Sequence, residues 1–179
     1  MSDNRSLRIA FFAHCLLNQN AKVAGLATHP GIFTPLIPLL VETGTGVIQL
    51  PCPEFVHLGP SRPVGTDTIE QYDTPEYRST CFEIARRVVT DALSYEQAGY
   101  KVLCIVGVEG SPSCGVSCVP HLVEHNCSRL ETGMGIFIRE IHGLLKTASL
   151  NIPLLGIPEL PESGDLPSSL FELRRLLSQ

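Results

Sequence analysis

The sequence predicts a three-layer α/β sandwich of Rossmann-like type, built on a central, mainly parallel sheet. Three observations carry that expectation. Short apolar runs alternate with segments of helical spacing along the chain. One run, Val102–Val108 (VLCIVGV), is apolar throughout, as in a strand covered on both faces. Strands separated by helices join in parallel through right-handed crossovers.

Taken in order, Leu7–Ala13 (LRIAFFA) reads as the first strand. Ile32–Glu42 is apolar but carries Pro35 and Pro38, which remove hydrogen bonds and clash inside a helix, so a short or kinked helix is expected. Val47–Leu50 is a second strand, stopped by Pro51. Pro53–Asp73 is rich in glycine and proline and reads as a long loop of the kind that serves function or is mobile. Thr74-Pro75-Glu76 starts a helix, with a capping threonine, proline at the first position and an acid that suits the helix dipole. Cys81, Ile84, Ala85, Val88, Ala92 and Tyr95 continue it at helical spacing, and Gly99 ends it. Met134, Phe137, Ile138, Ile141 and Leu145 form another helical stripe, Ile152–Ile157 a fourth strand and Ser169–Leu177 a terminal helix.

The chain has 179 residues, which suits one domain spanning 1–179. Hydrophobic residues make up 44% and charged residues 17%, which excludes a disordered chain. The net charge is -5, and Lys22, Lys101 and Lys146 are its only lysines. A long nucleic acid needs many clustered cations, so none is expected as a partner. No apolar run is long enough to span a membrane and no secretory signal opens the chain, so a cytoplasmic, reducing setting is expected. Seven cysteines, an odd number, stand out in that setting.

Open parallel sheets bind ligands beyond the carboxyl ends of their strands. Ala13–Asn20 (AHCLLNQN), Pro51–Glu54 (PCPE), Glu109–Gly115 (EGSPSCG) and Pro158-Glu159 fall there. Three of the four carry a cysteine: Cys15, Cys52 and Cys114. Each alone reads as a small buried hydrophobe, but burial does not explain all three at strand ends. No C-x-x-C spacing is present, so zinc-ribbon and thioredoxin-like patterns are absent. Dispersed ligands can still hold zinc, with His14, His57, His121 or His125 completing a site. An iron–sulfur cluster is the other thiolate-rich option, and three cysteines on a cubane leave one iron open as a Lewis acid. Soft sulfur ligands then point to a sulfur-bearing substrate.

Cys81 and Cys104 read as packing residues, while Cys118 and Cys127 stay undecided, a spare ligand or a resolving thiol being the minority reading of Cys118. Ser111 and Ser113 shape a turn, or donate a hydrogen bond or relay a proton at the site. Glu54 is a solvated acid or a general base for water. Glu159 lines the pocket or caps a turn, the turn being the favoured reading. Gly44-Thr45-Gly46 and Gly133-Met134-Gly135 lack the context of a dinucleotide site.

In order, CLLNQN, PCPE and SPSCG resemble the motifs of the thiouracil desulfidase family, formerly a domain of unknown function. The resemblance spans Ile9 to Gly115. It implies a 4Fe-4S cluster bound by Cys15, Cys52 and Cys114 with one open iron, a catalytic glutamate at Glu54 and a catalytic serine at Ser111 or, second, Ser113. The implied reaction removes sulfur from a thiolated pyrimidine such as thiouracil or thiouridine monophosphate, with water as co-substrate and sulfide released. The family's CLLG becomes Cys15-Leu16-Leu17-Asn18, its R-Y-D-G becomes Lys22-Val23-Ala24-Gly25, and the glycines after C-P-E become His57-Leu58-Gly59, while Arg62-Pro63 survives. The chain therefore resembles a divergent branch. Asn18, Lys22 and Arg62 are candidate substrate contacts, the two cations for a phosphate, though solvated surface charge is the plainer reading of both. A non-catalytic iron–sulfur or sulfur-carrier protein, with Cys118 or His14 on the fourth iron, and a zinc hydrolase using the same cysteines are the alternatives.

Overall fold

The computed structural model describes residues 3–62, 67–124 and 127–179. Its centre is the strand Arg8–Phe12 (β1), fully covered from Ile9 onward. Gly46–Gln49 (β2) lies on one side of it and Lys101–Val108 (β3) on the other, with β6 (Leu154–Ile157) beyond β3. All three pairings are parallel, giving the order β2-β1-β3-β6. The sheet is flanked by helices, so the protein is a three-layer α/β sandwich. The long α5 (Pro75–Gln97) packs on β3 and against α6 (Ile136–Thr147). α7 (Leu166–Leu177) packs on β3 and β6 and against α2 (Ile37–Thr43). These contacts explain why β3 is buried at every residue after Lys101.

Local chemistry sets the boundaries. The Thr74 side chain caps α5, its Oγ1 accepting from Tyr77 N at 3.2 Å, with Pro75 at the first helical position. The two prolines of the 32–42 segment give a 3₁₀ turn at Thr34–Leu36 that runs into α2. The last strand begins at Leu154, after Pro153, which has no N–H to give a ladder.

Two features depart from the sequence reading. The segment expected as one long loop after Pro53 holds two short helices, α3 (Pro53–Leu58) and α4 (Ile69–Tyr72). Between β3 and α6 stands an antiparallel hairpin, β4 (Cys118–Glu124) with β5 (Cys127–Thr132), outside the main sheet. Glu70 of α4 clasps it, accepting from Leu122 N at 2.9 Å and meeting His121 Nδ1 at 2.7 Å.

The chain leaves β1 for β2 on one side and reaches β3 on the other. The ends of β1 and β3 therefore flank the point where strand order reverses, the usual crevice of an open parallel sheet. Ala13 N donates to Val106 O at 2.8 Å, so the two strand ends emerge side by side.

Candidate active site

Three loops bring the cysteines to this crevice. Cys15 lies on the one-turn α1 (His14–Leu17) directly after β1. Cys52 follows β2 and caps α3, its Sγ accepting from Phe55 N at 3.4 Å. Cys114 ends the turn after β3 and is 8% exposed. Burial is the main force on all three thiols. It pushes Cys15 up to about 12 and Cys114 well above the ordinary thiol value, and it raises Cys52. Ionising Cys15 or Cys52 would push Cys114 higher still, so the three share one electrostatic neighbourhood.

The Ser111–Gly115 turn is held from every side. Ser111 Oγ accepts from Cys114 N at 3.0 Å and Ser113 N at 3.3 Å. Ile136 N donates to Pro112 O and Phe137 N to Ser113 O, so the turn's carbonyls cap the first turn of α6. This close approach explains the glycine before α6, because a Cβ on Gly135 would sit 2.4 Å from the Ser113 carbonyl carbon. Gly115 is required in the same way, with Cys118 O at 2.4 Å. Glu109 braces the far side, accepting from Cys118 N at 2.9 Å, Ser117 Oγ at 2.8 Å and Val116 N at 3.3 Å.

A buried polar chain runs past the cysteines. Ser113, wholly buried, donates to Glu54 Oε1 at 2.7 Å. Its oxygen lies 2.6 Å from the Tyr77 hydroxyl, which must then be the donor. Arg62 donates to Glu54 Oε2 and to Ala21 O, and its Nε is buried without a partner among the described residues. Burial raises the Glu54 carboxyl above the usual range, opposed by the Ser113 hydroxyl and the Arg62 cation. Burial also raises the Tyr77 phenol, helped by the Glu54 charge, so it stays protonated and able to donate.

A pocket of about 480 Å³ opens on the Cys15, Ser111 and Pro112 side of this chain, whose own four residues do not line it. Cys15, Ser111, Lys22 and Glu159 line it, and Pro120 and Leu130 of the hairpin close one side. Lys22 and Glu159 form an ion pair there, 14% and 3% exposed. Gln19 ties the pair to the thiol loop, its Nε2 donating to Glu159 Oε1 at 2.5 Å and to Cys15 O at 2.9 Å.

The sequence-predicted residues thus fall into groups. Cys15, Ser111 and Lys22 line the pocket, while Glu54, Ser113 and Arg62 form the buried chain. The two serines differ in role: Ser113 bonds the glutamate, and Ser111 holds the cysteine turn. Lys22 and Arg62 are engaged with carboxylates, not solvated. Glu159 is a buried partner of Lys22, not a turn cap. Asn18 caps a 3₁₀ turn, its Oδ1 accepting from Asn20 N at 3.2 Å, and does not line the pocket.

Among the other histidines and thiols, His14 stacks on Phe55, with its imidazolium disfavoured first by burial and then by Arg62. His57 reaches Thr80 Oγ1 at 3.3 Å and His121 pairs with Glu70. His125 and Pro63 lie outside the described residues. Cys118 opens β4 beside Glu109, which with burial raises its thiol, and Cys127 is exposed on β5. Cys81 and Cys104 are buried packing residues. Tyr77 is a contributor that no sequence pattern flagged, while Gln19 and Glu109 lie within the strand-end segments without having been singled out.

Among the described residues no three His, Cys, Asp or Glu side chains gather as the cage of a single ion. A cubane places each thiolate on a different iron, so its ligands need not meet at one point. The donor set fits that group: three thiols on three strand-end loops, buried enough to need a cation before they ionise.

No family model matches the chain. A solved structure described as the 4Fe-4S-dependent thiouracil desulfidase TudS is similar, with a TM-score of 0.53 and 21% identity over 92% of this chain and 99% of that one. At that identity the likeness shows the fold. Among curated proteins, Uncharacterized protein MJ0003 of Methanocaldococcus jannaschii is 38% identical over 109 residues, 61% of this chain and 68% of that protein. With that identity over more than two thirds of the relative, the chain belongs to the same family as MJ0003.

Proposed function

We propose that the protein is an iron–sulfur-dependent desulfidase acting on a thiolated pyrimidine base or nucleotide. The observation that carries this reading is the Tyr77–Ser113–Glu54–Arg62 chain, running beside three strand-end cysteines and a pocket. The similar fold of a 4Fe-4S-dependent thiouracil desulfidase supports it.

Cys15, Cys52 and Cys114 hold the cluster in this reading. When bound, a cluster with one open iron supplies a Lewis acid with affinity for sulfur. The chain's own residues do the rest. Glu54, raised by burial, takes a proton from water as the water oxygen bonds to the thiocarbonyl carbon. Arg62 fixes the carboxylate from one side and Ser113 from the other, so it loses no rotamer freedom during the reaction. Tyr77 keeps Ser113 oriented as a donor. The carbon–sulfur bond then breaks, the carbonyl forms and sulfur leaves as hydrogen sulfide. One water is consumed and no electron is transferred.

The test is anaerobic reconstitution with iron and sulfide, followed by assay of sulfide release from a panel of thiolated bases and nucleotides. Release with formation of the matching oxo compound is expected. An intact cluster with no release from any member overturns the assignment. A colourless protein holding stoichiometric zinc and no iron overturns the cluster itself.

A further inference from the structure

We propose that the pocket selects a thiolated pyrimidine without a phosphate, base or nucleoside, over the corresponding nucleotide. The inference rests on the desulfidase reading and narrows its substrate class.

The argument is electrostatic. A phosphorylated ligand needs a cation or a set of free backbone amides. Among the described residues the pocket is lined by one cation, Lys22, and by the carboxylates of Asp67, Glu109, Glu159 and Glu162. Lys22 is held by Glu159, whose side chain is 3% exposed, and drawing it towards a phosphate would leave that buried carboxylate without its counter-ion, held by Gln19. Arg62, a second cation, is 2% exposed and bound to Glu54 and Ala21 O. On the side of the pocket formed by the turn after β3 the backbone amides are engaged: Gly110 N by Cys118 O, Ser111 N by Val108 O, Ser113 N and Cys114 N by Ser111 Oγ, and Ser117 N and Cys118 N by Glu109.

Glu162, on the 3₁₀ turn Pro161–Ser163, stands exposed at the pocket wall, where it repels a second anion. The remaining wall suits an uncharged ring. Val23, Leu26, Pro120, Leu130 and Leu160 supply apolar surface, and Ser111 and Ser128 a few hydroxyls. In a pocket of about 480 Å³ a base or nucleoside has room, so charge and not size makes the distinction.

The experiment uses reconstituted protein and two parallel measurements. Sulfide release is compared for thiouracil, thiouridine and thiouridine 5′-monophosphate. Equilibrium binding is compared for the oxo counterparts uracil, uridine and uridine 5′-monophosphate, which reads the pocket without turnover. The base or nucleoside is expected to exceed the monophosphate about tenfold or more in both series. Glu162→Lys, at an exposed position, is expected to narrow that gap about tenfold at low salt and less at high salt. A monophosphate bound as tightly as the nucleoside overturns the proposal, as does binding of none of the three oxo ligands. Sulfide release from no substrate, together with charge-selective binding, sinks the desulfidase reading and leaves the selectivity standing.

Discussion

Ser113 donates its hydroxyl hydrogen to Glu54 Oε1 across 2.7 Å, joining a residue after β3 to one after β2. The two are 59 positions apart in sequence. Tyr77 donates to the Ser113 oxygen and Arg62 to the other carboxylate oxygen, so Glu54 is the terminal acceptor on which the chain converges.

That arrangement predicts a pH profile. Burial raises the Glu54 carboxyl above its ordinary value of 4.5. A general base works deprotonated, so kcat/KM is expected to rise with pH through a pKa above 4.5 and then level. Glu54→Gln should lower kcat about 10²- to 10⁴-fold and remove that limb, with cluster absorbance retained. Loss of the cluster in this variant would make Glu54 structural.

The two serines should separate under substitution. Ser113→Ala removes a bond that favours the Glu54 carboxylate. The acid limb should therefore move to higher pH, and kcat should fall about 10- to 100-fold with the cluster intact. Ser111→Ala instead removes the acceptor for two amides of the cysteine turn. Its expected effect is lower cluster occupancy at unchanged limb position, read by iron content and the pH profile together. Identical behaviour of the two variants would refute the division of labour.

The parts legible in the sequence are those written by local pattern. β3 follows from an unbroken apolar run, and the start of α5 from Thr74 and Pro75. The cysteines could be placed at strand ends because strand order alone gathers those ends. The hairpin was not legible. The second strand is almost wholly exposed, neither strand alternates strictly, Pro120 interrupts the first, and the sequence between them holds no Asn-Gly or Asp-Gly. Nor was the wiring of the site. Tyr77 meets Ser113 only because α5 packs over β3, and Lys22 meets Glu159 across 137 residues. Such pairs leave no periodic trace, so Glu159 reads as a turn cap until the fold brings the lysine to it.

The seat of the cysteine turn gives a stability prediction. Gly135→Ala places a methyl 2.4 Å from the Ser113 carbonyl carbon and 2.5 Å from its oxygen, both backbone atoms that cannot swing aside. The cost should be about 1–3 kcal/mol, or roughly 3–10 °C in Tm for a chain of this size. Gly143→Ala serves as the control, because a Cβ there meets nothing within 4 Å and the helix gains propensity. Thermal melts of the two variants check the pair. A Gly135→Ala protein as stable as the parent would mean the turn is not clamped between β3 and α6.

The thiols give the last prediction. Burial holds Cys15 at about 12 and raises Cys52 and Cys114, so at neutral pH all three are protonated before a metal arrives. Cluster loading must therefore release one proton per ligating thiol. Higher pH favours the bound state, so apparent loading affinity should climb with pH and occupancy should fall on acidification. The same protonation keeps the unloaded thiols slow towards alkylating reagents at pH 7, because the thiolate is the nucleophile. Exposed Cys127 should react first and serve as the internal standard. Mass spectrometry after brief alkylation, with and without the cluster, reads this order directly. Rapid labelling of Cys15 and Cys114 ahead of Cys127 at pH 7 would mean that their pocket favours thiolate without a metal, and the account of loading would fall.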